Sequence, residues 1–234
     1  PVMITRAHIT KRASDEGVDS QVIERDYVLA HAVSAIANYD KDGRLVFKGG
    51  TSLRLIHLKD YRYSADLDFS VQVGTKEEAI TLVDNAFRER GVAIPKLSLD
   101  TGDDHLRVLY VGPLGRQRDV KLDLTTDELV VNTERAPIQP RWADVPASKV
   151  NVYTLLEIAS EKLRCILQRL QCRDFYDLYT LLCIQRVDPQ YAVPLFRRKA
   201  KHLDLDPDTF GYRYQERIPR YMARWSNELS NYMS

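Results

Sequence analysis

The sequence predicts an α+β fold in two parts: a mixed sheet with flanking helices over residues 1–148, then a helical bundle over residues 149–234. Three observations lead there. Short apolar segments bounded by turn residues alternate with helical patterns as far as Thr125. Pro137, Pro140 and Pro146 then punctuate the chain, and beyond about residue 151 the apolar spacing is helical throughout. A chain of 234 residues, 44% apolar, can fill the core of one large or two small domains, which excludes a disordered or collagen-like protein.

The elements follow in order. Residues 20 to 38 read as the first helix, with Val22, Ile23, Ala30, Val33 and Ala37 at helical spacing. Asp42-Gly43 opens a turn into an apolar strand, Leu45-Val46-Phe47, which Gly49-Gly50 breaks before a short helix from Ser52 to His57. Leu67 to Val73 is the next strand. Thr75-Lys76-Glu77-Glu78 is a capping box whose helix runs to Arg90, where Gly91 supplies a left-handed stop. Strands follow at Val92 to Leu99, Leu106 to Val111 and Val120 to Thr125, the last two joined by the turn Gly112-Pro113-Leu114-Gly115. Helices are then expected at Val152 to Leu170, Arg173 to Ile184, Tyr191 to His202 and Tyr212 to Tyr232.

Composition narrows the classes. Lys and Arg total 34 against 33 Asp and Glu, so bulk charge argues neither for nor against nucleic acid. Cys165, Cys172 and Cys183 are odd in number with no CxxC spacing, and the five histidines are scattered; neither a disulfide framework nor a zinc site is expected. Cys165 and Cys172 read as core fillers. No apolar run approaches the ~20 residues that cross a bilayer. Pro1-Val2-Met3-Ile4 has no basic segment leading into a long apolar stretch, so no secretion signal is expected and a reducing cytoplasm fits best.

The informative stretch is Phe47-Lys48-Gly49-Gly50-Thr51-Ser52, followed by Asp66-Leu67-Asp68-Phe69. Two aspartates one residue apart on a strand share a face, with Leu67 and Phe69 turned to the core. Carboxylates that close repel one another, and a hard divalent cation removes the penalty. Gly49-Gly50 lets the backbone approach an anion, the following helix start presents unpaired N–H groups, and the Thr51 and Ser52 hydroxyls add donors. Lys48 precedes the glycines, so this is not a Walker A loop. Asp123 in Val120-Lys121-Leu122-Asp123-Leu124 is the candidate third acid, sharing its face with Lys121, which pairs with it or neutralises phosphate. Taken singly, each feature is equally ordinary: a solvated strand edge, a turn, an amphipathic strand. Their ordered combination points to a metal-supported phosphate site.

That ordered set resembles the polymerase-β-like nucleotidyltransferase superfamily. More narrowly, Phe47 to Leu53 and Arg62-Tyr63-Ser64-Ala65-Asp66-Leu67-Asp68-Phe69-Ser70 are similar to the AbiEii/AbiGii-type toxin nucleotidyltransferases of bacteria, including the MenT toxins. Glu24-Arg25-Asp26-Tyr27-Val28-Leu29, Glu161-Lys162-Leu163 and Arg173-Asp174-Phe175-Tyr176-Asp177-Leu178 also look like this family. The resemblance spans about residues 20 to 180. It implies that Asp66, Asp68 and Asp123 hold Mg²⁺ in a two-metal site, and that Gly50, Thr51 and Ser52 touch the phosphates of an NTP. It also implies that Lys162 contacts the triphosphate and that Asp174 is an essential acid. The family often carries Gly-Ser where this chain has Gly50-Thr51, leaving open whether Thr51 or Ser52 supplies the hydroxyl. Charged helix faces also pair among themselves, and Lys162 with Asp174 reads that way too.

The acceptor is a separate question. From Arg186 to Arg224 there are nine Lys or Arg against five acids, with Phe196, Phe210, Tyr212, Tyr214 and Tyr221 interleaved. Arg197, Arg198, Lys199 and Lys201 are the densest cluster and the expected RNA-binding surface; a solvated helix face with core tyrosines is the other reading. The resemblance implies addition of pyrimidine nucleotides to the 3′ acceptor end of tRNA, with consequent loss of aminoacylation, and a cognate antitoxin as partner. Nucleotidylation of a protein or small-molecule hydroxyl, and non-catalytic nucleotide binding, stand as alternatives.

Overall fold

The computed structural model describes residues 3–91, 93–102, 105–230 and 233. By packing, the chain divides into two units: one runs as far as Thr126 and takes in Glu134–Val152, the other comprises Asp127–Thr133 and Tyr153–Met233. The expected junction at 148/149 thus has a more interleaved counterpart, with the chain passing between units three times.

The first unit is a seven-stranded sheet with helices. It opens with α1 (Arg6–Glu16) and α2 (Ser20–Tyr39), followed by β1 (Leu45–Lys48). A helical turn, Gly49–Ser52, runs on into a π-helical turn, Leu53–His57; together these are α3. Then come β2 (Leu67–Val71), α4 (Lys76–Glu89), β3 (Lys96–Thr101), β4 (Leu106–Val111), β5 (Gln117–Thr125), β6 (Thr133–Pro137) and β7 (Lys149–Tyr153). The strand order is β3-β4-β5-β2-β1-β7-β6. β1 is antiparallel to β2 and parallel to β7, while β2 is parallel to β5. The sheet is therefore mixed, as expected. Leu45, Phe47, Leu67, Phe69, Leu122 and Leu124 alternate into one core with Tyr27, Leu29, Val33 and Ile36 of α2 and Val83, Ala86 and Phe87 of α4.

The second unit holds α5 (Leu155–Gln168), α6 (Cys172–Tyr179, continued by a π-helical turn to Ile184), α7 (Pro189–His202) and α8 (Phe210–Leu229). Thr154 caps α5 by accepting from the Glu157 amide at 3.3 Å, and Asp188 caps α7 by accepting from Gln190 at 2.8 Å.

Three elements differ from expectation. Nothing in the apolar spacing marks α1, which buries only Ile9 and Ala13; its ends are set by a Thr5–His8 capping box and by Gly17 in the left-handed region. The helix expected from Val152 begins at Leu155, because Val150 and Val152 alternate inward on β7 with the period of a strand. β6 is mostly exposed and carries no alternating apolar pattern to betray it. Of the remaining boundaries, Val92 and Tyr232 lie outside the described residues.

Candidate active site

The site grows from the end of β1. Gly49 has φ +77°, and a Cβ there would lie 2.6 Å from Asp68 Oδ2. A Cβ on Gly50 would meet Arg62 Nη2 at 2.6 Å and Ser64 Oγ at 3.3 Å. Both glycines are thus places where backbone passes against functional side chains. The hydroxyls turn inward: Ser52 Oγ donates to the Gly49 carbonyl at 2.8 Å and Thr51 Oγ1 donates to the Asp66 carbonyl. They brace the turn and the start of β2, where the sequence suggested phosphate donors.

The register brings the acids together. Lys48 lies opposite Asp68, and Asp68 opposite Asp123 on the parallel strand β5. Register partners share a face about 4.8 Å apart, so the two carboxylates stand side by side. Lys121 Nζ is 3.8 Å from Asp123 Oδ2; Thr125 Oγ1 donates to Asp123 Oδ1 at 3.4 Å and accepts from Lys48 Nζ at 3.2 Å. Asp66 sits one residue before β2, half-buried like the other two acids. Among the described residues no three His, Cys, Asp or Glu side chains gather around one ion position. Magnesium fits this donor set all the same, because it is held by one or two hard carboxylates, with water and substrate phosphate completing its shell.

A buried polar network supports the loop that carries Asp66. Arg54 of α3 donates to Asp26 Oδ1 and to the Tyr61 carbonyl, and lies 3.6 Å over the Tyr63 ring. Trp142 Nε1 donates to the other Asp26 oxygen at 3.2 Å, and the Tyr63 hydroxyl donates to Glu16. Arg141 donates to the Arg54 and Leu58 carbonyls at 3.1 and 2.9 Å. Burial pushes the Tyr63 hydroxyl up, and the bond to Glu16 raises it further, so it remains a proton donor. Glu24, wholly buried, accepts from the Leu114 amide at 2.6 Å and from Arg118, pinning α2 to the β4–β5 turn. Sequence reasoning gave Asp26 and Glu24 no role. The available signal was two acids inside a helix that is otherwise apolar on most sides.

The match to known proteins is decisive at this point. The family model for the nucleotidyl transferase AbiEii toxin of type IV toxin–antitoxin systems matches residues 31–234. The chain belongs to this family. No curated protein matches it by sequence. Among solved structures it is similar to MenT4, a nucleotidyltransferase toxin from Mycobacterium tuberculosis H37Rv, with TM-score 0.62 and 18% identity, covering 99% of this chain and 100% of that one. An antigenic nucleotidyltransferase-like protein from Paracoccidioides brasiliensis matches with TM-score 0.47 and 14% identity, over 80% of this chain and 92% of that one. The likeness to MenT4 is one of fold.

In this AbiEii-family chain the lysines expected to act from the helical unit are paired within it. Lys162, expected on a triphosphate, is buried with its ammonium 2.8 Å from Asp174 and 2.6 Å from Asp177. Arg169 Nε adds a bond to Asp174 at 2.7 Å. Burial alone pushes the Asp174 carboxyl up, but Lys162 and Arg169 outweigh it and hold the group below the ordinary range. These charges tie α5 to α6. Lys199, expected to face RNA, is also buried: its ammonium meets Glu157 at 2.7 Å, Glu161 at 3.5 Å and the Leu129 carbonyl at 2.7 Å. Its place on the inner face of α7, beside Leu195 and Ala200, removes it from any RNA surface. Arg197 pairs with Asp208 at 2.6 Å, and Arg198 and Lys201 are exposed. Phe196 meets Phe210 edge-on, and Phe210, Tyr214 and Phe175 stack in series, so the interleaved aromatics are largely engaged within the unit.

Proposed function

We propose that this AbiEii-family nucleotidyltransferase moves a nucleotidyl group from an NTP, pyrimidine by preference, to the 3′ acceptor end of tRNA and thereby blocks translation. The observation that carries the reading is the register pairing of Asp68 with Asp123 beside the Gly49–Gly50 turn. In the reaction a terminal ribose hydroxyl oxygen bonds to the α-phosphorus, the bond from that phosphorus to the bridging oxygen breaks, and pyrophosphate leaves. Asp123, flanked by Lys121, takes the hydroxyl proton. Asp66, Asp68 and Asp123 are the residues that would hold Mg²⁺, which supplies charge neutralisation at the phosphates. Gly49 and Gly50 admit the triphosphate to the backbone, and Thr51 and Ser52 keep that turn rigid. Lys48 and Lys121 supply positive charge at either side of the acids. Lys162 and Asp174 act by holding α5 against α6. A cognate antitoxin is the partner that the family implies, and the cytoplasm is the compartment where tRNA is met. No helix among the described residues is long and apolar enough to cross a membrane.

The test is incubation with α-labelled NTPs, Mg²⁺ and total tRNA, followed by sequencing of tRNA 3′ ends. Label should enter tRNA, and Asp68→Asn should reduce it about 1,000-fold with an unchanged circular dichroism spectrum. Label in protein or a small molecule would overturn the acceptor; undiminished transfer by the variant would overturn the site.

A further inference from the structure

The sheet face that bears the acids carries one further polar side chain to which the transfer reaction gives no part. Thr125 ends β5 two residues after Asp123, so the two share a face at the period of a strand. In register, Asp123 lies beside Asp68 of β2, and Thr125 beside the buried Ser70. Lys48 stands on β1, on the far side of β2, yet its ammonium reaches Thr125 Oγ1 at 3.2 Å. The lysine stem therefore crosses the face of β2, spanning two strand spacings of about 4.8 Å each. It is buried along that path.

Proton inventory gives the contact a direction. An ammonium only donates, so the Thr125 oxygen accepts from Lys48 and keeps a single proton to give. Asp123 Oδ1 receives it at 3.4 Å. That separation is long, as active-site hydrogen bonds are before substrate closes on them. A hydroxyl that accepts from a cation is polarised and donates the more strongly. Oδ1 is thus tethered along the strand, while Oδ2 lies 3.8 Å from Lys121 Nζ, where both side chains are exposed. Without the tether, the broad terminal torsion of a carboxylate would leave the two oxygens free to exchange places.

We propose that Thr125 is the positioning residue of Asp123: the chain Lys48–Thr125–Asp123 holds Oδ1 and leaves Oδ2 facing the reacting hydroxyl. The proposal rests on the reading of Asp123 as proton acceptor, and it gives Thr125 no contact of its own with NTP or acceptor.

The test uses the full chain with α-labelled NTP and Mg²⁺, and Asp123→Asn as the control. Thr125→Val keeps the branched shape that suits a strand and removes the hydroxyl. It should lower kcat about 10–100-fold, with KM for NTP within about twofold and an unchanged melting curve. Thr125→Ser restores the hydroxyl and should recover kcat to within about threefold of wild type. Combined with Lys48→Met, the Thr125→Val loss should fall well short of the product of the two single losses, since both cut one chain. A second readout needs no turnover. Mn²⁺ alone, titrated into NTP-free protein and followed by the loss of its free electron-spin signal, should bind about tenfold more weakly to Thr125→Val.

Wild-type kcat and Mn²⁺ affinity in Thr125→Val, beside an inactive Asp123→Asn, would overturn the tether and leave the site standing. A raised KM at unchanged kcat would make Thr125 a substrate contact and overturn it as well, and losses that multiply would sever Lys48 from the chain. Undiminished transfer by Asp123→Asn would remove the reading of the site itself.

Discussion

At Gly49 two constraints coincide. The backbone sits at φ +77°, where an L side chain is strained, and the space a methyl would need is held by Asp68 Oδ2. Gly49→Ala should cost about 1 kcal/mol from the dihedral alone and displace the Asp68 carboxylate. Thermal melts should register a modest loss, and transfer assays a much larger one; full activity would separate the turn from the chemistry. Lys199 makes the opposite point. Lys199→Met removes one partner of a buried ion cluster and should destabilise the protein by about 3–5 kcal/mol, read from the urea midpoint, with RNA affinity unaltered. The Gly-Gly turn after β1 and the strand positions of Asp68 and Asp123 were legible because residue type and order carry them. The burial of Lys199 was not, since its neighbours Arg197, Arg198 and Lys201 are exposed and only the helical phase of α7 separates them.

Between elements, the packing of α2 against α4 has a titratable centre. His31 on α2 is 2% exposed, with its Nδ1 2.9 Å from Arg90 Nη1, its Nε2 3.5 Å from Asp144 Oδ1 and the Tyr27 ring edge-on at 4.6 Å. Burial, then the Arg90 charge, lowers its pKa from 6.5 to about 4, so the imidazole is neutral at pH 7 and its contact with Asp144 is no ion pair. The folded form binds its proton more weakly than the unfolded chain. Stability from this group is therefore complete above pH 6.5 and is lost as pH falls from 6.5 through 4, by about 3 kcal/mol in all. Chemical denaturation of wild type and His31→Gln across pH 4–7 should show a steeper acid loss in wild type. Parallel slopes would place the proton uptake elsewhere. The helix itself was legible from its apolar phase, whereas His31, Glu24 and Asp26 gain partners from residues 59 to 116 positions away, which local pattern does not encode.

Over the whole chain, the expected division at residue 148 followed a real change in texture, but not the packing. Segment Asp127–Thr133 precedes that point and belongs with the helices. Glu157 accepts from the Val131 and Asn132 amides at 3.2 and 2.9 Å, and Lys199 donates to the Leu129 carbonyl. A fragment of residues 149–234 lacks these partners and leaves Glu157 and Lys199 short of them. It should show helical dichroism without a cooperative melt, while the full chain melts cooperatively; a sharp transition in the fragment would mean that segment 127–133 is dispensable.

The strand that carries Lys48 has one neighbour close by in the chain, β2, and another far along it, β7, where Phe47 faces Val152. A polypeptide emerging from the ribosome therefore holds this edge unsatisfied until more than half of its length is made. A toxin-family nucleotidyltransferase thus finishes its central sheet only late in its own synthesis.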